Sequence, residues 1–207
     1  MAIKAANNRS MTGITALPSA ISGGAWTLLS TSTASSSSTV SFTSGLDSTY
    51  AVYCFRFYNI HPGTADADFK FNMTIDGGSN WNVAKTTTAF NAYHTEGGTD
   101  QALQYHGGSD LAQGTGDQNL AYGIGTTNDD SASGYLYLFD PSSTTFVKHF
   151  ISSANGVYID TGDAASPYQH NFFNAGYGNT TSAVDGIIFR MSSGNIDAGV
   201  IKLYGIS

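Results

Sequence analysis

The sequence predicts an all-β chain folded as an antiparallel, jelly-roll-like β-sandwich. Three observations lead there. The first is composition: of 207 residues only 11% are charged while 13% are aromatic, and Glu96 is the sole glutamate. Helix-favouring Lys, Leu and Glu are scarce, whereas Thr, Tyr and Phe, which suit a pleated surface, are plentiful. The second is alternation. Phe69, Phe71, Met73 and Ile75 alternate with Lys70, Asn72, Thr74 and Asp76, the period of a half-buried strand. The third is punctuation: short apolar runs recur between Gly, Pro, Ser and Asn turns, as in a sandwich or barrel. A long middle excursion fits Greek-key crossovers better than a simple meander.

Taken in order, residues 1–24 read as an N-terminal arm or linker, punctuated by Pro18, Gly23 and Gly24. Residues 25–207 read as a single sandwich domain. Stretches 25–30 and 39–43 are candidate strands separated by the serine run 35–38. Stretch 50–59 is stronger: Ala51, Tyr53, Phe55 and Phe57 share a face with Arg56 opposite, and His61, Pro62 and Gly63 end it. Cys54 is the only cysteine, so no internal disulfide forms, and it reads as a small core hydrophobe. After the strand at 69–75, Asp76, Gly77, Gly78 and Ser79 suit a hairpin leading into Trp81 and Val83.

Section 91–134 changes character, with nine glycines between Gly97 and Gly134. Loops this long are uncommon unless functional or mobile, and stretches 103–106 and 121–124 are its candidate short strands. Further candidates are 135–139, 145–151, 157–159 and 169–174. A closing hairpin follows: Ile187, Phe189 and Met191, then a turn at 192–195, then Val200 to Tyr204. It ties the chain's end into the sheet.

Charge is uneven. The net value is −7, yet residues 1–46 hold Lys4 and Arg9 with no acid, and from Asp47 onward 15 acids face 6 bases. Lys4 and Arg9 suit an arm anchored on an acidic neighbouring subunit; the alternative is a frayed terminus. An acidic body without a basic patch argues against nucleic acid. No run approaches 18 apolar residues, so no membrane-spanning helix is expected, and no secretory h-region is visible.

The residues offer little catalytic chemistry. Asp47, Asp76, Asp140, Asp160 and Asp163 sit in turn-like contexts where a carboxylate bonds its own backbone. No G-x-S-x-G elbow or P-loop is present. The five histidines (His61, His94, His106, His149, His170) show no metal spacing. His94 and His106 could meet in space, but read more simply as surface residues. Asp66 with Asp68, and Asp129 with Asp130, offer oxygen ligands for calcium without an EF-hand pattern, and read as solvated loop acids. No cofactor and no metal are therefore expected, and the chain reads as non-enzymatic.

Binding is better represented. Tyr, Ser, Gly, Asn and Asp in section 91–134 are what adaptable binding loops use. Tyr93, Gln104, Tyr105, Asp110, Asn119 and Tyr122 are the candidates to stack on a sugar face and hydrogen-bond its hydroxyls, or to meet a partner protein. The competing reading places these tyrosines in the core or a subunit interface.

The closing motif, SSGNI followed by a terminal strand ending LYGI, also resembles the end of small β-rich virion proteins of tailed bacteriophages, especially those of marine cyanobacteria and similar hosts. Residues from about 17 to 83 and from 180 to 207 share the resemblance, including Leu17, Pro18, Trp26, Phe55 and Trp81. It implies a place in the virion, assembled in the host cytoplasm, and no catalytic residues. The expected role is an accessory surface subunit: a capsid decoration, cement or knob, or a small tail-associated protein. A host-glycan-binding module of a tail fibre or spike is the alternative. The expected partners are other virion proteins and further copies of the chain, with a trimer suggested by analogy. An arm of this length spans at most about 70 Å, too short for a fibre shaft.

Overall fold

The alternation of Tyr53, Phe55 and Phe57 becomes a fully buried face on a central strand. The computed structural model describes residues 25–158 and 167–207. The anchoring arm with Lys4 and Arg9, along with Ile159, Asp160 and Asp163, lies outside the described residues. The chain is all-β. Twelve strands are described: β1 (Trp26–Ser37), β2 (Val40–Phe42), β3 (Val52–Pro62), β4 (Ala67–Thr74), β5 (Lys85–Thr95), β6 (Gln101–Tyr105), β7 (Gln118–Ile124), β8 (Ala132–Phe139), β9 (Lys148–Tyr158), β10 (Tyr168–Gly178), β11 (Gly186–Met191) and β12 (Ile196–Ile206). Among the described residues no helix is long and apolar enough to cross a membrane.

Every pairing is antiparallel, and the path runs β1-β12-β3-β8-β9-β7-β4-β11-β2. Because β1 leads into β2 through residues 38–39, the two ends of this path adjoin. The sheet is therefore nearly closed and barrel-like, which leaves few exposed edges. Strands β10, β5 and β6 branch from β9 and extend the sheet sideways. The interior is aromatic. Phe42, Phe55, Phe69 and Phe189 meet through ring contacts of 5.3–6.1 Å, and Phe71 meets Phe150 at 5.1 Å. Cys54 is buried as expected, and its thiol is pushed up to about 12 by burial.

Four local expectations are corrected. The serine run does not separate two strands; β1 continues to Ser37 because β12 supplies ladder partners down to Ser37↔Ile196. The turn at Asp76 forms, but no hairpin follows it. Both edges of β4 are taken by β7 and β11, so residues 80–84 stay irregular. The closing pair is not a hairpin either: β11 pairs with β2 and β4, β12 with β1 and β3. The turn at 192–195 instead carries the chain from the ladder with β2 and β4 to the ladder with β1 and β3, beside the β1–β2 link. Asn195 Nδ2 donates to Ser36 O at 3.0 Å, and Ser36 Oγ to Asp197 Oδ1 at 2.8 Å, tying the two connections together. Finally, much of section 91–134 is regular, holding half of β5 together with β6, β7 and the start of β8. Polar and glycine residues hid strands whose stability comes from long-range ladders.

Two lysines are fully buried. Lys85 Nζ donates to Asn72 Oδ1 at 2.6 Å and to Val83 O at 2.7 Å. Lys148 Nζ donates to Phe146 O at 2.6 Å. Burial lowers the Lys85 pKa from 10.5 to about 8. The unfolded chain therefore binds this proton more tightly, so Lys85 penalises folding below about pH 8 and the penalty fades up to 10.5. Cys54 acts oppositely, removing stability as pH climbs from 9.0 towards 12. The two effects separate in a difference experiment. Wild type should gain about 2 kcal/mol relative to Lys85→Met between pH 7 and 9.5, read from urea midpoints. A pH-independent difference would show that the native chain holds this proton as tightly as the unfolded one, so that burial does not lower the lysine's pKa.

Candidate functional site

Period-two alternation on β5, β10 and β9 brings one set of side chains to the same face. Asn91 lies opposite Phe172 and Gln104; Tyr93 lies opposite His170; Tyr168 lies opposite Tyr158. Together with His106 and Tyr122 they line a cleft of about 250 Å³. Its rings form a chain of contacts: His106–Tyr122 at 4.8 Å, Tyr122–Tyr158 at 5.2 Å, Tyr158–Tyr168 at 5.6 Å and Tyr168–Tyr93 at 5.4 Å. Gly123 makes this wall possible. Its φ is +55°, and a Cβ there would lie 2.2 Å from the Tyr158 ring, so only glycine lets that ring rest against β7.

The floor is polar and buried. Asn91 Nδ2 lies 2.9 Å from His170 Nε2, and both residues are 4% exposed. Burial, then the neighbouring His106 ring, lower the His170 pKa from 6.5 to about 4. The imidazole is thus neutral at physiological pH. Two buried atoms here, Asn91 Oδ1 and His106 Nδ1, have no hydrogen-bond partner among the described residues. Because the unfolded chain protonates His170 more readily, the native state should lose about 2 kcal/mol between pH 6.5 and 4.5 from this group. His170→Gln should flatten that acid limb in urea titrations; an unchanged limb would assign it elsewhere.

The six sequence-selected residues distribute unevenly. Tyr93, Gln104 and Tyr122 line the cleft. Tyr122 also borders a second hollow of about 270 Å³, which Asp110 and Asn119 line. There the polar groups satisfy one another: Asn119 Nδ2 donates to Ser109 Oγ at 2.9 Å, and Arg190 grips Asp117 with two bonds of 2.6 and 2.7 Å. Tyr105 sits on the opposite face of β6, 61% exposed, its hydroxyl donating to Asp110. Asn91, His106, Tyr158, Tyr168 and His170 were missed as site residues. Had β5 been recognised through Thr95, the alternation of Asn91 with Tyr93, and of Tyr168 with His170, would have exposed them.

His94 and His106 do not meet. His94 is exposed on the far side of β5, between Gln101 and Gln169, while His106 packs on Tyr122 and Phe172 in the cleft. His106 is accordingly not a plain surface residue.

Two of the turn aspartates, Asp47 and Asp76, act as read. Asp47 Oδ1 accepts from Thr49 N at 2.8 Å, and Asp76 accepts from Asn80 N at 2.9 Å. The Thr74 hydroxyl, followed by Asn80, lowers the Asp76 pKa to about 2. Asp129 and Asp130 both receive the Thr127 hydroxyl at 2.6 Å. Among the described residues no group of three or more His, Cys, Asp or Glu converges to hold a metal ion. No family model, curated protein or solved structure matches this chain.

Proposed function

We propose that this chain is a non-enzymatic structural protein of a tailed-bacteriophage virion, an accessory surface subunit clipped onto the capsid or tail. The observation that carries the proposal is the outer face of β6, β5, β10 and β9. Phe90, Leu103, Tyr105 and Ile151 point to this side with 45, 74, 61 and 48% of their surface exposed. Phe90 stacks on Phe173 at 5.0 Å, and beside them lies a shallow trough of about 530 Å³ lined by Thr88, Phe139, Ile151, Ala175 and Tyr177. A contiguous apolar face of this kind marks a contact with another protein. Further copies of the chain, in a trimer or another closed ring, or other virion proteins would cover it.

The motif resemblance at the chain's end supports the virion setting. The β1–β2 and β11–β12 connections, each joining strands that do not pair with one another, support the finer reading of a jelly-roll-like sandwich. Replacing Leu103 and Phe90 by lysine should abolish incorporation into particles while circular dichroism stays unchanged. Undiminished incorporation would reject this face as the contact. Deleting residues 1–18 tests the anchoring arm in the same assay. Copy number then separates the locations: one per capsid lattice position means decoration, one set per tail means a tail component.

A second reading, a host-glycan adhesion module, is favoured by the ring-lined cleft. Concave sites with aromatic walls and a few convergent polar groups are the usual form of small-ligand sites.

A further inference from the structure

We infer that the cleft between β5, β10 and β7 takes a single uncharged sugar ring, with Asn91 and His106 as its hydrogen-bonding floor and Tyr122 and Tyr158 as its stacking wall. The inference rests on the glycan-binding reading and adds the chemical class of the ligand. Size comes first. A cleft of about 250 Å³ falls below the roughly 300–1,000 Å³ of drug-sized sites, which suits one ring and not a longer chain fully enclosed.

Hydrogen bonding narrows the class. Asn91 is 4% exposed, and its Oδ1 is buried without a partner among the described residues, as is His106 Nδ1. Groups so placed carry a desolvation penalty until a donor or acceptor meets them. Asn91 Nδ2 is already engaged with His170 Nε2 at 2.9 Å, which leaves Oδ1 as the side of the amide to be satisfied. A sugar hydroxyl can donate and accept, so it satisfies Asn91 with either orientation of the amide and either neutral tautomer of His106. A carboxylate can only accept and would leave Asn91 Oδ1 unmet.

Charge points the same way. Among the described residues no lysine or arginine lines the cleft. The nearby carboxylate of Asp100, which accepts from Tyr93 Oη at 3.2 Å, repels an anion. An acidic sugar would therefore lose its hydration without gaining a counter-charge. An uncharged ring keeps its C–H face for the Tyr122 and Tyr158 rings, which lie 32° apart and form adjoining walls.

The test uses the full chain and two ligand sets: uncharged methyl hexopyranosides, and the corresponding hexuronates. Saturation-transfer NMR and calorimetry should show binding of at least one neutral glycoside, with its uronate weaker by roughly tenfold or more. Asn91→Leu should weaken the neutral ligand by roughly tenfold with the fold unchanged. Should that variant not fold, Gln104→Leu at the exposed rim serves as a milder probe, and the wild-type comparison alone still decides. Uronates binding equally or better would overturn the neutral-ring inference and leave the glycan reading intact. Absence of binding by every sugar in both sets would overturn both.

Discussion

Gly134→Ala is expected to cost about 3 kcal/mol, the upper end of what an added core carbon costs. Gly134 sits in β8 between Phe57 of β3 and Ala154 of β9. A Cβ there would lie 2.3 Å from Ser153 O, 2.8 Å from Ala154 Cα and 2.9 Å from Phe57 Cε2. Two of those atoms belong to the neighbouring backbone, so no side-chain rotation relieves the contact. Relief requires β8 and β9 to separate, and these strands share the ladder from Ala132↔Gly156 to Leu138↔Phe150. The control is Gly116→Ala, where the added carbon meets nothing within 4 Å. That variant should stay within about 0.5 kcal/mol of wild type. Urea midpoints with unchanged m-values measure both; equal midpoints would show that the two strands already have slack.

Phe189→Ala should cost about 3–5 kcal/mol. Phe189 is fully buried on β11 and touches Phe42 at 6.1 Å, Phe55 at 5.4 Å and Phe69 at 5.7 Å. Those partners come from β2, β3 and β4, so this one ring fastens strands from opposite sides of the core. Truncation removes buried area and leaves a cavity that rigid neighbouring rings cannot fill. Phe189→Met, which nearly keeps the volume, should lose less than about 1.5 kcal/mol. Phe146, 69% exposed, provides the contrast: Phe146→Ala should change stability by no more than about 0.5 kcal/mol. If Phe189→Ala and Phe146→Ala were equally mild, the aromatic cluster would not be the core of the fold.

Both residues show where the sequence was legible. Phe189 lies in a clean alternation, and its inward direction follows from period two alone. The same holds for Phe69, Phe71 and Met73, and for Tyr53, Phe55 and Phe57, all fully buried. Gly134 was readable only as a glycine in a glycine-rich section. Its importance depends on Ser153 and Phe57, which no local pattern places beside it. The closing pair makes the same point: alternation identified β11 and β12, while the turn at 192–195 suggested a hairpin between them. The ladder partners turned out to be β2 and β4 on one side, β1 and β3 on the other.

The candidate site was legible in three of its eight lining residues. Tyr93, Gln104 and Tyr122 follow from the composition of binding loops, because tyrosine and amide side chains are the usual contact groups. Asn91, His170, Tyr158 and Tyr168 enter only when β5, β10 and β9 align in register. Asn119 and Asp110 were chemically reasonable, but they line the neighbouring hollow, where Asn119 is held by Ser109.

By itself the sequence determined that this is an all-β chain, that Tyr53, Phe55, Phe57, Phe69, Phe71 and Met73 point inward, and that Asp47 and Asp76 close turns, although Asn72 and Thr74 are buried too and Ile75 is exposed. Those properties depend on residue type and short-range spacing. The tertiary structure alone decided which strands are neighbours, that β11 and β12 pair with other strands instead of each other, that Lys85 is buried, and that five rings and a neutral histidine share one cleft. Period two assigns a side chain to a face but says nothing of which strand lies beside it. Register and strand order come from the summed burial and hydrogen bonding of residues far apart in the chain.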